Sequence, residues 1–341
     1  MARKTNRPLV TTKEEINQIN EDNKELIDDF LNYLETTDHS PSSIKVYKSN
    51  LNIFFVWLMK FAKNKDFVQL KKRDVMNFQN YLIKNQLSPA RIRVLRSSVS
   101  SLSNFIENIL DEEEKWEDFR NIINKIPAPN LNPVREKTIM QEEELELLLE
   151  KLVENKKYNI ACFVAMAAFS GARKSEIVQY KDSFFTDETF KNGLYVTPEI
   201  KTKGRGSLGK PLKKYCLKSR VDKYLNLWRE ERQRLGVNID DLFVVKRDGG
   251  FRPATSATAS CYMKICTELL EKPVYCHSFR HFFVSMLSAQ NVPIAVIRDI
   301  VGHESSETTQ IYDDNPKEDG FMKYFGNDGI KQLKNKELSE I

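Results

Sequence analysis

KTKGRGSLGKP, residues 201–211, admits two readings that lead to different folds. Gly204, Gly206 and Gly209 form GxGxxG, and Gly204 to Lys210 form GxxxxGK, both patterns of loops that cradle phosphate in an α/β sheet. Such a loop runs from a strand into a helix whose free N–H groups and dipole face the anion. Here Pro211, Leu212, Lys213, Lys214 and Tyr215 follow, which extend a strand, and Pro211 stands where a magnesium-binding hydroxyl would be needed. No βαβ unit precedes the glycines. The stretch therefore reads as the tip of a β-hairpin, with NGLYVTPEI (192–200) and KPLKKYCL (210–217) as its arms. Eight basic residues and no acid lie between Lys201 and Arg220, a composition suited to a polynucleotide backbone.

Around this hairpin the pattern is helical. RVDKYLNLWREERQRL (220–235) has helical period, as do segments near 255–270 and from 277 onward. All 12 glycines fall at position 171 or later, so the first 170 residues lack the residue that most often ends helices and shapes tight turns. Ser40-Pro41 and Ser88-Pro89 each set an N-cap serine before a proline at the first helical position. Val46, Leu51, Phe54, Phe55 and Leu58 follow the first as an apolar core stripe; Ile92, Leu95, Val99, Leu102 and Phe105 follow the second. IPAPNLNPVREK (126–137), with Pro127, Pro129 and Pro133, reads as an extended linker, after which Thr138 and Gln141 have the spacing of a capping box.

With 341 residues and 40% hydrophobic side chains the chain can bury two cores. The net charge of +5 is modest, so a polyanion would be met by local patches. One such patch runs from Lys60 to Arg96, where ten basic residues face two acids; a solvated helix face and a phosphate-tracking surface both explain it. Five cysteines without a CxxC pair, and a start lacking the apolar core of a signal peptide, point to a reduced, cytoplasmic protein. No apolar run approaches the roughly 18 residues of a membrane span.

Chemistry is concentrated late in the chain. Three of the four histidines, His277, His281 and His303, fall within 27 residues, beside Arg280 and before Tyr312. Singly, each has a structural explanation. Together, SGARKSEIV around Arg173, HSFRH (277–281), VGHES around His303 and TTQIYDD around Tyr312 resemble, in order and spacing, the tyrosine recombinase (phage integrase) family. The resemblance covers most of 138–315. Arg173 matches the first family arginine, His277 and Arg280 the HxxR pair, His303 the LGH histidine and Tyr312 the nucleophile. Glu176 matches the supporting acidic residue, and the family's hairpin lysine falls on Lys203, with Lys201 as the competing assignment. VGH in place of LGH, Phe279 at a mostly aliphatic position and Gln290-Asn291 where glycine is common are departures that remove no catalytic group. SPSSIKVY and LSPARIRV loosely resemble the family's helical core-binding domain.

The resemblance implies a mostly α fold: a helical N-terminal core-binding domain plus an α+β catalytic domain with a small antiparallel sheet. The expected division is a basic segment at 1–20, a DNA-binding domain at 21–126, a linker at 127–137, a catalytic domain at 138–315 and a tail at 316–341 exchanged between protomers. It implies site-specific cleavage and rejoining of double-stranded DNA through a 3′-phosphotyrosine by a tetramer, without metal, ATP or other cofactor. HSFRH also lacks the Glu of a helical HExxH metal site. Arg91, Arg93, Lys201 and Arg205 are the expected DNA contacts. A DNA-binding regulator on the same fold, and a topoisomerase-like relaxing enzyme, are the alternatives.

Overall fold

Serine caps and proline starts set the first elements. In the computed structural model, which describes residues 11–130, 140–204, 209–290 and 292–302 and the backbone of 325–326 and 329–330, α1 (Lys13–Asn17) and α2 (Glu21–Thr36) precede α3 (Pro41–Phe61). The Ser40 hydroxyl accepts from the Ser43 N–H at the start of α3, and the Ser88 hydroxyl accepts from Arg91 at the start of α5 (Pro89–Ile109). Between them lies α4 (Lys72–Lys84). Without glycine, the turns after these helices close on side-chain-bearing residues in the left-handed region, Asp38, Lys63, Asn64 and Gln86.

These helices enclose one core, from Ile19 to Ile123, in which Phe54, Phe55, Phe67 and Phe78 are essentially sealed. Each such ring contributes on the order of 2 kcal/mol by leaving water. The α5 stripe of Ile92, Leu95, Val99, Leu102 and Phe105 is buried as its spacing requires. Val46 is not: it is 52% exposed, because five residues separate it from Leu51 and a helix carries that step off the apolar face. Arg96, counted in the basic run, is also buried. Its guanidinium donates to the Ile123 carbonyl at 2.8 Å and the Pro127 carbonyl at 2.9 Å, with further bonds to Ile126 and Gln79, so it staples the segment after α5 rather than meeting a phosphate.

The second core runs from Met140 to Phe282, and the chain divides into two compact units accordingly. Its first helix, α6 (Glu142–Glu154), is capped by Gln141, whose N–H donates to Glu144. The box thus sits three residues beyond the one expected at Thr138, a residue outside those described. α7 (Tyr158–Ser170) is apolar on every side and buried from Ile160 to Ser170, the pattern of a helix packed all round. Against it pack α6, α9 (Lys218–Leu235) and α11 (Cys276–Ala289). Short α8 (Lys174–Ile177) follows α7.

The expected strand pair resolves into two ladders. β1 (Phe190–Lys191), β2 (Leu194–Val196) and β5 (Tyr215–Leu217) form an antiparallel sheet with Tyr195 opposite Cys216. β3 (Ile200–Thr202) and β4 (Lys210–Leu212) form a separate hairpin with Thr202 opposite Lys210. β6 (Val244–Arg247) pairs with β7 (Gly250–Pro253), then come α10 (Ser256–Leu270), α11 and α12 (Ile294–Val301). A two-residue ladder, β8 (Phe325–Gly326) with β9 (Gly329–Ile330), lies in the tail. The fold is mostly helical with small antiparallel sheets. All five cysteines are free, and no helix among the described residues is long and apolar enough to cross a membrane.

Candidate active site

Arg173 is positioned by a turn between two helices. α7 ends at Gly171, whose φ of 60° is the left-handed region; a Cβ there would also lie 2.5 Å from Phe283 Cδ1. Two residues later Arg173 is the N-cap of α8, and Glu176 reaches back to accept its N–H at 2.9 Å. The other Glu176 oxygen accepts from Arg173 Nη1, also at 2.9 Å. Lys214 Nζ adds a third contact at 2.9 Å. Burial disfavours the Glu176 carboxylate, yet the Lys214 charge and these donors leave its pKa below the usual value.

His277 and Arg280 lie in the first turns of α11, three residues apart and so on one face. Arg280 is 1% exposed. Its Nη1 donates to the Gly171 carbonyl at 2.6 Å and its Nη2 to the Val301 carbonyl at 2.8 Å. One guanidinium thereby joins α11 to the end of α7 and to the end of α12. Gly302 follows in the left-handed region at φ 71°, and a Cβ there would meet Leu212 Cδ1 at 2.9 Å. His277 has its pKa lowered by burial and, secondarily, by the charges of Arg280 and Arg173, so its ring favours the neutral form. Its ring stands edge-on to that of His281, with centroids 5.0 Å apart.

Arg173, His277 and Arg280 line one cleft of about 720 Å³, together with Met263, Thr267 and Tyr275. The β3–β4 hairpin is tied to α8 through Gln179, whose side chain accepts from the Lys201 N–H at 3.2 Å and donates to the Lys201 carbonyl at 2.8 Å. Lys201 and Lys203 are both exposed on the face opposite buried Thr202, as strand alternation requires. Arg91 is half-buried beside its cap. Arg93 is exposed, with its Nε donating to the Pro129 carbonyl at 3.0 Å. His303, Tyr312 and Arg205 lie outside the described residues. No group of three or more His, Cys, Asp or Glu side chains suited to a metal gathers among the described residues.

Two contributors are not apparent in the motifs. Gln179 reads as an ordinary helix-end residue. Lys214 counts as one of eight basic hairpin residues but is fully buried. Its phase held the signal: it stands two residues before buried Cys216, on the side of the chain that faces the core.

The pattern of the phage integrase family matches residues 138–319, and that of the phage integrase N-terminal SAM-like domain matches residues 26–116. The SPbeta prophage-derived recombinase-like protein YomM of Bacillus subtilis is 27% identical over 298 residues, 86% of this chain and 87% of its own. Tyrosine recombinase XerD of Listeria innocua is 24% identical over 298 residues, covering 84% and 93%. Among solved structures, the XerH site-specific recombinase bound to palindromic difH substrate superposes with TM-score 0.68 at 20% identity, over 93% of this chain and 97% of that one. A lambda integrase tetramer bound to a Holliday junction does so with TM-score 0.64 at 14% identity, over 85% and 77%. At these identities the two structures speak to the fold.

Proposed function

Because this chain belongs to the phage integrase family of tyrosine recombinases, we propose that it cuts and rejoins double-stranded DNA at specific sites through a 3′-phosphotyrosine on Tyr312. It is a tyrosine-type site-specific DNA recombinase. The observation that carries the assignment of residues is the cleft that Arg173, His277 and Arg280 share, with Glu176 buried behind Arg173.

The chemistry follows from the charges. Attack on a phosphodiester gathers negative charge on two non-bridging oxygens. Arg173 meets them with a fork that stays charged at any working pH, and Arg280, whose Nη1 and Nη2 hold the Gly171 and Val301 carbonyls, adds its charge at the wall of the cleft. A donor aimed where charge develops is worth roughly 3 kcal/mol, by analogy with oxyanion holes. The Tyr312 hydroxyl, with an ordinary pKa of about 10, needs a proton acceptor, and neutral His277 takes its proton as the new oxygen–phosphorus bond forms. The bond from phosphorus to the 5′ oxygen breaks, and Lys203 supplies the proton that this oxygen requires. His303 adds a hydrogen bond to the phosphate. Since the phosphotyrosine keeps the energy of the original link, attack by another 5′ hydroxyl reseals the strand without ATP.

The helical unit, 21–126, grips one side of the duplex with Arg91 and Arg93, and the hairpin adds Lys201 and Arg205. The catalytic unit spans 138–315 beyond a linker at 127–137. Four copies act on two duplexes in the cytoplasm, with 316–341 exchanged between neighbours. The test is to incubate the protein with fragments of its own genome, strip non-covalent contacts with detergent and sequence what remains attached. Specific fragments joined through Tyr312, and lost in Tyr312→Phe while binding persists, are the expected result. Specific fragments retained only before the detergent wash would overturn the reading.

A further inference from the structure

Lys214 is the single buried lysine among the described residues, 0% exposed, and it lies behind the cleft rather than in it. Its backbone is fixed: its N–H donates to Thr197 Oγ1 and its carbonyl accepts from the Thr197 N–H, both at 2.9 Å. From there Nζ reaches Glu176 Oε2 at 2.9 Å. The same Nζ lies 3.6 Å from the point a Cβ on Gly302 would occupy. Arg280 and Arg173 are both close enough to repel its charge.

Burying an ammonium is costly, and a hydrophobic residue of like size would fill the space without that cost. The cost has a counterpart in the charge balance. Glu176 aims Arg173 through two hydrogen bonds, but its carboxylate also cancels the positive charge that a phosphate needs there. With Lys214 present, three cations surround one anion; without it, one of the two cations in excess is lost.

We propose that Lys214 is a positioning residue for strand cleavage: it holds the Glu176 carboxylate in the orientation that aims Arg173 and restores the positive charge that Glu176 removes. It acts through Glu176 and touches no substrate. The inference rests on the recombinase reading above, and two measurements keep the fates of the two apart.

The first is the single-turnover rate of covalent adduct formation at saturating DNA, with binding measured separately. Lys214→Met should slow adduct formation by at least about 100-fold while DNA affinity falls by no more than about tenfold. Equal rates in the folded variant, or affinity falling in step with rate, would overturn the proposal. Removing one partner of a buried pair risks unfolding, so the companion variant is Lys214→Met with Glu176→Gln, which leaves no buried unpaired charge. It keeps the wild-type net charge but leaves one acceptor for the two Arg173 donors, so its rate should stay below wild type yet exceed that of Lys214→Met. A rate no higher than that of Lys214→Met counts against the charge-balance part of the proposal. The second measurement needs no reaction: inorganic phosphate is titrated while the His277 ring is followed by NMR in a chain with four histidines. Weakening of phosphate binding by about tenfold in Lys214→Met supports the charge argument, and unchanged binding refutes it. If wild type forms no adduct yet Lys214→Met weakens phosphate binding, the recombinase reading fails while the role of Lys214 in the anion site stands.

Discussion

Replacing Gly171 by alanine probes the turn on which both arginines depend. A side-chain-bearing residue in the left-handed region costs about 1–2 kcal/mol. The new methyl would stand 2.5 Å from Phe283 Cδ1 and 3.1 Å from Val301 Cγ1. Neither neighbour has room to withdraw, since they are 2% and 0% exposed, so overpacking adds about 1–3 kcal/mol. The expected loss is about 2–5 kcal/mol. Gly236 supplies the control: its φ of 72° is equally left-handed, but nothing lies within 4 Å of its absent Cβ. Gly236→Ala should therefore show the backbone cost alone. Hydrogen exchange of the α7 and α11 amides reads the opening free energy of this unit without assuming that the whole chain unfolds in one step. Equal losses in the two variants would show that the Phe283 contact costs nothing and refute the packing argument. Because the Gly171 carbonyl holds Arg280, the rate of DNA cleavage should fall further than the folded fraction does.

Other outcomes follow from single contacts. His277 has a native pKa below 6.5, so between the two values the unfolded chain binds more protons. Its contribution to stability is complete above 6.5 and is lost as pH falls toward the native value; cleavage should rise with pH over the same window and then level off, and Arg173→Gln should raise the His277 pKa in an NMR titration. Lys203→Ala should slow cleavage more than Lys201→Ala, and the reverse order would move the proton donor by two residues. Arg91 and Arg93 replaced together should flatten the salt dependence of DNA binding, with an unchanged slope counting against their phosphate contacts. Arg96→Met should instead cost about 2–4 kcal/mol of stability and leave that slope alone, since this guanidinium is occupied by carbonyls.

What the sequence disclosed was local or ordered. Ser40-Pro41 and Ser88-Pro89 carry their own caps, and both begin the helices their spacing predicts. Failures came where three-dimensional partners decide. Val46 stands off the buried stripe because its five-residue step to Leu51 matches neither the three- nor the four-residue spacing of one helix face. Arg96 and Lys214 were both counted as surface charge; what buries them are carbonyls around 123–127 and a carboxylate 38 positions away in sequence, neither visible to a local pattern. The helix starts at Glu142 rather than near 138 because its N-cap is Gln141, a residue the Ser/Thr rule for capping boxes does not pick out, with Glu144 accepting the Gln141 N–H.

The glycine-free half of the chain has one more implication. Lys63, Gln86 and Lys156 hold left-handed backbone that glycine adopts freely, at about 1 kcal/mol each. Lys63→Gly, Gln86→Gly and Lys156→Gly should therefore each raise stability, by up to about 1 kcal/mol. The protein thus carries a reserve of stability in its turns, on which altered DNA specificity can be evolved or engineered without first weakening the scaffold.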